Sequence, residues 1–434
     1  MRSTKTILVV AALALQAGAY ASPLEDAIAS DYPYLDGLFK HLHLNPELSL
    51  QEFKTSDRMA EEMSALGFEV TRNIGKTGLV GLMRNGRGPT LMIRADMDGL
   101  PVQEKSGLDY SSKATQVNLE GMEMPVMHAC GHDMHMTTLI GVARRMVELK
   151  DEWSGTLMLV AQPAEEAGGG ALGMVADDIY GQVGRPDFAL ALHVIAKYPA
   201  GKIAFSDGLM YSSADSVKIT VRGVATHGAS PQLGRDPVYI GSLIVVALQG
   251  IVTREVSPIE PALITVGAFR GGSAPNVIAD NARLDITVRA NTEKTRYQLL
   301  DSIKRVAENT ARAAGVPDDL LPIVEVLSEG APTTTNDAAL ARRVREAMLG
   351  GMGADAFVDW RQTDMGAEDF PDLVNVDPPI PSVYFEVGGT PPEDLEAGTW
   401  AGHHSPLFKI VPEPAIRKGV EAMTLSALEL LKKP

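Results

Sequence analysis

The sequence predicts an α/β protein with a mostly parallel sheet, interrupted by a smaller inserted α+β domain. Two observations predict this class. Short apolar segments alternate with helical segments along much of the chain, and the order of elements changes to β-α-β-β-α-β in the middle. Strands that alternate with helices favour a parallel sheet covered by helices. The chain has 434 residues, 45% of them hydrophobic, so two domains with buried cores are expected.

The first domain is predicted from both ends of the chain. Short apolar runs indicate strands, and apolar residues spaced three to four apart indicate helices. The strand at 90–94 runs into Asp96 and Asp98, and open α/β sheets place their chemistry at the carboxyl ends of such strands. We expect strands at residues 69–71, 78–83, 90–94, 155–161, 188–194 and 382–387, and helical structure over 24–66, 134–149, 338–349 and 413–431.

A different pattern occupies residues 210–327. Its β-α-β-β-α-β order is that of a split β-α-β unit, which can fold as its own small domain. The first domain then comprises residues 22–209 and 328–434. In the inserted domain we expect strands at 216–221, 262–268, 282–289 and 322–327, and helices at 237–253 and 293–314.

Residues 1–21 have the pattern of a secretory signal peptide. Arg2 and Lys5 precede an apolar run, and Ala19-Tyr20-Ala21 provides the small residues of a cleavage site before Ser22. An uncleaved N-terminal anchor is the alternative. We expect a periplasmic or secreted protein that is not membrane-bound after cleavage. The net charge of −16 disfavours nucleic acid and anionic membranes as partners, so a small-molecule substrate is expected.

Polar residues cluster around the single cysteine of the chain, Cys130. His128, His132 and His135 are three of only nine histidines, and Gly131 lies between Cys130 and His132. A thiolate and an imidazole on a glycine-containing turn can reach one ion or two neighbouring ions. The alternative is a buried cysteine with surface histidines.

Further candidate residues follow other predicted strands. Glu165 and Glu166 are adjacent, so one can bind metal while the other acts as a general base on water; a solvated acidic pair is the simpler alternative. His193 ends an apolar strand and His404 lies in a His-His-Ser-Pro segment. Core histidines that donate to a carbonyl oxygen would explain both of them equally well.

Together these segments resemble the aminoacylase and carboxypeptidase family of co-catalytic metallopeptidases. The resemblance is to its amidohydrolase branch, which includes hippurate hydrolases and auxin-conjugate hydrolases. The matching segments span most of the chain and follow the family's order. They are Arg94-Ala95-Asp96-Met97-Asp98, His128-Ala129-Cys130-Gly131-His132-Asp133, Gln162-Pro163-Ala164-Glu165-Glu166, Ala191-Leu192-His193, Met365-Gly366-Ala367-Glu368-Asp369-Phe370 and His404-Ser405-Pro406.

The resemblance implies a metallopeptidase catalytic domain with a site for two divalent metal ions. Zinc or manganese is expected, with cobalt or nickel as alternatives, and a thiolate ligand favours zinc. Asp96 stands where many relatives outside this branch have a ligand histidine, and Cys130 where they have a bridging aspartate. Glu165 would be the general base. The implied ligands are Cys130, His132, Glu166, His193 and His404.

The resemblance also assigns roles to the inserted domain, as a lid and dimerisation domain of a homodimer. His227 would stabilise the oxyanion across the dimer interface, and Asn276 and Arg289 would hold the substrate carboxylate. A loop-capping histidine, a turn asparagine and a structural arginine are the alternatives.

The implied reaction is metal-dependent hydrolysis of the amide bond of N-acyl amino acids or similar conjugates that carry a carboxylate. Two alternatives are a dipeptidase or carboxypeptidase acting on short peptides, and a non-catalytic periplasmic protein that binds metal or peptide. A serine hydrolase is disfavoured because the chain has no Gly-x-Ser-x-Gly motif.

Overall fold

The computed structural model describes the backbone of residues 6–327 and 330–433, with side chains from residue 23 onward. The predicted signal peptide, residues 1–21, lies outside the residues described with side chains. The chain forms two compact units. The first comprises Met1–Met210, Thr335–Arg361 and Asp372–Pro434, and the second comprises Tyr211–Thr334 and Gln362–Pro371.

Helices and strands occur in groups along the chain. The helices are α1 (Thr6–Leu44), α2 (Phe53–Ala65), α3 (His132–Glu148), α4 (Gly170–Ala176), α5 (Ile179–Val183), α6 (Pro237–Arg254), α7 (Glu293–Ala313), α8 (Ala338–Met352), α9 (Phe370–Val374), α10 (Pro392–Ala397) and α11 (Pro412–Leu430). The strands are β1 (Glu69–Ile74), β2 (Gly78–Asn85), β3 (Thr90–Asp96), β4 (Thr115–Val117), β5 (Glu123–Pro125), β6 (Gly155–Gln162), β7 (Phe188–Pro199), β8 (Ile203–Ala204), β9 (Leu209–Tyr211), β10 (Ser213–Arg222), β11 (Thr226–His227), β12 (Ala262–Gly271), β13 (Val277–Ile278), β14 (Asn281–Ala290), β15 (Ile323–Val326), β16 (Thr334–Thr335) and β17 (Ser382–Thr390).

The first unit is built on a seven-stranded sheet in the order β1-β2-β6-β3-β7-β17-β8. The central strands β6, β3, β7 and β17 are parallel, and the outer pairs are antiparallel. Strands β6 and β17 are almost entirely buried, as expected for parallel strands between layers of helices. The predicted α/β class with a mostly parallel sheet is confirmed, with antiparallel strands added at both edges.

The helical segment predicted over residues 24–66 is two helices, α1 and α2. Helix α1 ends at Leu44, just before Asn45 and Pro46. A proline disfavours helical backbone in the residue before it, and this stops the first helix. The segment that follows brings Glu52 to the start of α2.

The sheet determines where polar residues gather in the first unit. Strand β3 ends at Asp96, opposite Gln162 at the end of the parallel strand β6. The next strand, β7, carries His193 in its buried half. Because parallel strands finish at the same edge, the segments that follow them meet there.

The second unit contains a four-stranded antiparallel sheet in the order β12-β14-β10-β15. Helices α6 and α7 pack against it, and their apolar residues, such as Ile244 and Leu299, join one core with the strands. All six predicted elements of this β-α-β-β-α-β unit are present.

Helix α6 is the described helix that is long and apolar enough to cross a membrane by length and composition. One face of it packs into the core of the second unit through Ile240, Ile244 and Leu248. Because a core helix can meet the same criterion, this finding alone does not identify a membrane span.

The second unit extends beyond the predicted limits of 210–327. Residues 330–334 and 362–371 group with it, although the sequence analysis placed them in the first domain. Backbone hydrogen bonds hold these segments: Ala214 pairs with Ala331, and the Ser212 N–H donates to the Gly366 carbonyl. Such pairing between distant segments leaves no pattern in the sequence.

Candidate metal centre and active site

The turn before α3 brings two candidate ligands together. Gly131 lies between Cys130 and His132 with a φ of 88°. A Cβ atom at this position would lie 2.3 Å from Val194 Cγ1, so the turn requires glycine both for its conformation and for its close approach to β7. Cys130 and His132 are therefore held beside the strand that carries His193.

The five predicted ligands converge in the first unit as two overlapping groups. Cys130, His132 and His193 form one group, and Cys130, Glu166 and His404 form the other; within each group the ligand atoms lie within 4.8 Å of one another. The Cys130 sulfur is 3.4 Å from His193 Nε2, and Glu166 Oε2 is 3.3 Å from His404 Nε2. Cys130 belongs to both groups.

The donor set fits bound cations. Glu166 Oε1 and His132 Nε2 are buried without a hydrogen-bond partner among the residues that the structure describes. They lie 3.8 Å apart, and Glu165 Oε2 is 4.0 Å from the same nitrogen. Buried polar atoms without partners are rare in folded proteins, and a cation would satisfy these.

The acidic surroundings also shift the pKa values of two of the ligands. Burial lowers the pKa of His132, but the charges of Asp96 and Asp98 outweigh burial and raise it to about 10. Burial, followed by the charges of Glu166 and Glu165, raises the pKa of the Cys130 thiol well above its usual range. Metal ligands bind in their deprotonated forms, so cation binding would release protons from these groups.

Asp98 connects the ligand turn to His132. Its two carboxylate oxygens accept hydrogen bonds from the backbone N–H groups of Glu165 and Glu166, at 3.1 and 3.0 Å. The hydroxyl of Ser49 also donates to it, and His132 Nδ1 lies 3.2 Å from Oδ1. Asp98 is fully buried, so these contacts fix the orientation of both carboxylate-bearing residues relative to His132.

His135 and Asp96 form a hydrogen-bonded pair beside the strand that carries His193, and the rings of His135 and His193 are 4.5 Å apart. The Val194 N–H donates to His135 Nε2 at 2.8 Å, so His135 Nδ1 carries the proton that it donates to Asp96 Oδ1 at 2.6 Å. Arg94 donates to the second oxygen of Asp96. These supporting residues were not assigned roles from the sequence, although Asp96 and His135 lie within the matching segments or beside them.

The two adjacent histidines near the end of the chain have different surroundings. His404 adopts a φ of 63°, a conformation uncommon for residues other than glycine, and its side chain is 57% exposed. His403 is partly buried: its Nε2 accepts a hydrogen bond from the Ala196 N–H, and its Nδ1 lies 3.7 Å from the Cys130 sulfur. His403 was not predicted as a site residue.

The three residues predicted in the inserted domain belong to the second unit. His227 lies exposed on β11, its Nδ1 accepts a hydrogen bond from the Ala229 N–H, and β11 pairs with β13 immediately after Asn276. Arg289 is half-buried on β14 and donates to the Met365 carbonyl at 3.2 Å. Substrate roles for these residues remain predictions.

Comparison with known proteins identifies the family. Residues 92–429 match the sequence profile of Peptidase family M20/M25/M40. The chain belongs to this family. It is 32% identical over 398 residues to thermostable carboxypeptidase 2 of Saccharolobus solfataricus, and this match covers 91% of this chain and 94% of that protein. It is 38% identical over 273 residues to the hippurate hydrolase of Campylobacter jejuni, covering 63% and 68%.

A solved structure of an M20 protein from Bacillus subtilis, described as a dinuclear metal binding peptidase, superimposes with a TM-score of 0.74. Its sequence is 25% identical, and the match covers 93% of this chain and 99% of that one. The family and the fold predicted from the sequence are therefore confirmed, and this M20 protein is a metal-dependent hydrolase.

Proposed function

We propose that the protein hydrolyses the amide bond of N-acyl amino acids or related conjugates with a free carboxylate, releasing an amino acid and a carboxylic acid. One observation carries this proposal: Glu165, a carboxylate 12% exposed, lies on the same turn as Glu166 and 4.0 Å from His132. A base beside a metal-ligand cluster is the arrangement that amide hydrolysis by water needs.

In this proposal, Cys130, His132 and His193 would hold one divalent ion, and Cys130, Glu166 and His404 would hold a second. Zinc or manganese is expected, with cobalt or nickel as alternatives. When bound, such ions acidify water and polarise an amide carbonyl.

The protein's own residues handle the proton and the charge. Glu165 removes a proton from the attacking water as the new C–O bond forms, and it delivers that proton to the departing amine nitrogen as the C–N bond breaks. His227 donates a hydrogen bond to the oxyanion, and Asn276 and Arg289 bind the substrate carboxylate.

Peptides are the second candidate substrates, since the carboxypeptidase from Saccharolobus solfataricus aligns over 91% of this chain. Initial rates on hippurate and on a dipeptide with the same C-terminal residue separate the two candidates. We expect kcat/KM to be higher for hippurate. Absence of turnover on either substrate, with divalent ions present and absent, would favour a binding protein.

We also propose that the protein is exported to the periplasm or secreted, with residues 1–21 removed, and that it forms a homodimer through the second unit. The edge position of β12 and the exposed apolar side chains of Tyr239, Val246 and Phe269 support the dimer. Mass spectrometry of the exported protein and light scattering of a Val246→Glu variant test these two statements.

The decisive experiment is Glu165→Gln. We expect kcat to fall by roughly 10² to 10⁴-fold, because the amide cannot accept the water proton. Metal content by elemental analysis should stay at the wild-type value. Glu148→Gln, an exposed position on α3, is the matched control. Wild-type turnover by Glu165→Gln would rule out its role as the base.

A further inference from the structure

We propose that Glu52 is a positioning residue that holds the turn bearing Glu165 and Glu166 in its active conformation. This inference rests on the proposed function, because it takes Glu165 as the base and Glu166 as a metal ligand. Glu52 lies more than one hundred residues earlier in the chain, at the start of α2.

Glu52 is fully buried, and its carboxylate accepts three hydrogen bonds. Oε1 accepts the Ala164 N–H at 2.8 Å and the Leu50 N–H at 2.9 Å. Oε2 accepts the Thr77 hydroxyl at 2.5 Å. The side chain therefore joins the start of α2 and the loop before β2 to the segment that follows β6.

The backbone conformation of the turn after β6 is not one that alanine prefers. Ala164 has a φ of 50°, in the left-handed region that is unfavourable for residues with a Cβ. Such conformations persist when the surroundings enforce them. The Ala164 N–H donates a hydrogen bond to Glu52, and the N–H groups of Glu165 and Glu166 donate to Asp98. Three consecutive backbone amides are therefore held by two buried carboxylates.

Loss of the Glu52 carboxylate would free the Ala164 amide and let residue 164 relax towards ordinary backbone angles. The side chains of Glu165 and Glu166 would then shift together. The shift affects the base and the Cys130, Glu166 and His404 group, whereas the Cys130, His132 and His193 group has no member on this turn. Loss of metal from the Cys130, Glu166 and His404 group alone therefore distinguishes this role from a general loss of stability.

The test compares Glu52→Ala, Glu52→Gln and Glu421→Ala in the full-length protein. The Gln side chain keeps an oxygen for the two amides and a donor for the Thr77 oxygen, so it should restore most of the function. Glu421 is the matched control, since it is also a buried carboxylate, and its hydrogen-bond partner among the described residues is Lys418 on the same helix, α11.

Three measurements are made on each variant. In Glu52→Ala we expect faster amide hydrogen exchange at residues 164–166, a fall in kcat of about 10²-fold with little change in KM, and loss of one of two zinc ions to a chelator at a concentration that leaves the wild type loaded. Glu421→Ala should show none of these changes, and Glu52→Gln should resemble the wild type.

Unchanged exchange at residues 164–166 in Glu52→Ala would overturn the inference, and so would equal effects in Glu421→Ala. If Glu52→Ala does not fold, Thr77→Val provides a milder version of the same test, with the same changes expected and the same refuting result. Failure of the proposed function is recognised separately, because the wild type would then lack amidase activity while the exchange comparison still tests Glu52.

Discussion

Raising the pH from about 7 to about 10 should destabilise the first unit through His43. This residue of α1 is 4% exposed and lies between two carboxylates: Nδ1 is 2.6 Å from Asp133 and Nε2 is 3.2 Å from Glu104. Both ring nitrogens can donate together if the imidazole is protonated. Burial lowers the pKa of His43, but the hydrogen bonds to Asp133 and Glu104 outweigh it and raise the pKa to about 9.

The sign and size of the effect follow from this pKa. The folded-state pKa of His43 lies above its usual value of 6.5, so its contribution is fully present below about pH 6.5 and is lost as the pH rises through about 9. At about 1.4 kcal/mol per pH unit, the difference corresponds to about 3 kcal/mol, most of which disappears between about pH 7 and about pH 10.

The assay is urea unfolding followed by far-UV circular dichroism over this pH range, in excess chelator, so that metal affinity does not contribute. His43→Gln removes the titrating group, and His41→Gln on the exposed face of the same helix is the control. We expect wild type and His41→Gln to lose about 2.5 kcal/mol more than His43→Gln over this pH range. Parallel pH profiles for wild type and His43→Gln would refute the reasoning.

Three further outcomes are expected. Gly131→Ala should lower metal affinity, measured by chelator competition, because the Cβ would clash with Val194 at a positive φ. Arg94→Met should destabilise the protein by about 3–5 kcal/mol in urea unfolding, because it leaves Asp96 buried with one charged partner fewer. His227→Ala should lower kcat by roughly 10² to 10³-fold while metal content stays constant, as shown by steady-state kinetics and elemental analysis.

Much of the fold could be predicted because it depends on local patterns. The predicted strands of the central sheet are short apolar runs, and each begins at the predicted residue, although β7 continues to Pro199 and β8 was not predicted. The return of residues 362–371 to the second unit was not predictable, since it depends on backbone pairing with Ser212. No local pattern marks a partner so far away in the chain.

The candidate site, too, could be predicted only in part. Cys130 and His132 could be proposed as ligands because a thiolate and an imidazole lie close together on a glycine-containing turn, whereas Glu166, His193 and His404 were assigned through the family resemblance. The roles of Asp98 and Glu52 depend on the three-dimensional structure, because each accepts hydrogen bonds from backbone N–H groups of a turn that lies far along the chain. The sequence does not distinguish a carboxylate that accepts such a hydrogen bond from any other acidic residue.

The spacing of the two ligand groups has a consequence for how the centre is assembled. The group of Cys130, His132 and His193 is complete once His193 has been synthesised, whereas the other group awaits His404, which follows the whole of the second unit. The last part of the first unit is therefore needed for both the sheet and the second group, since β17 pairs with β7 and the segment after β17 carries His404. A chain that ends before residue 404 would lack one donor of that group.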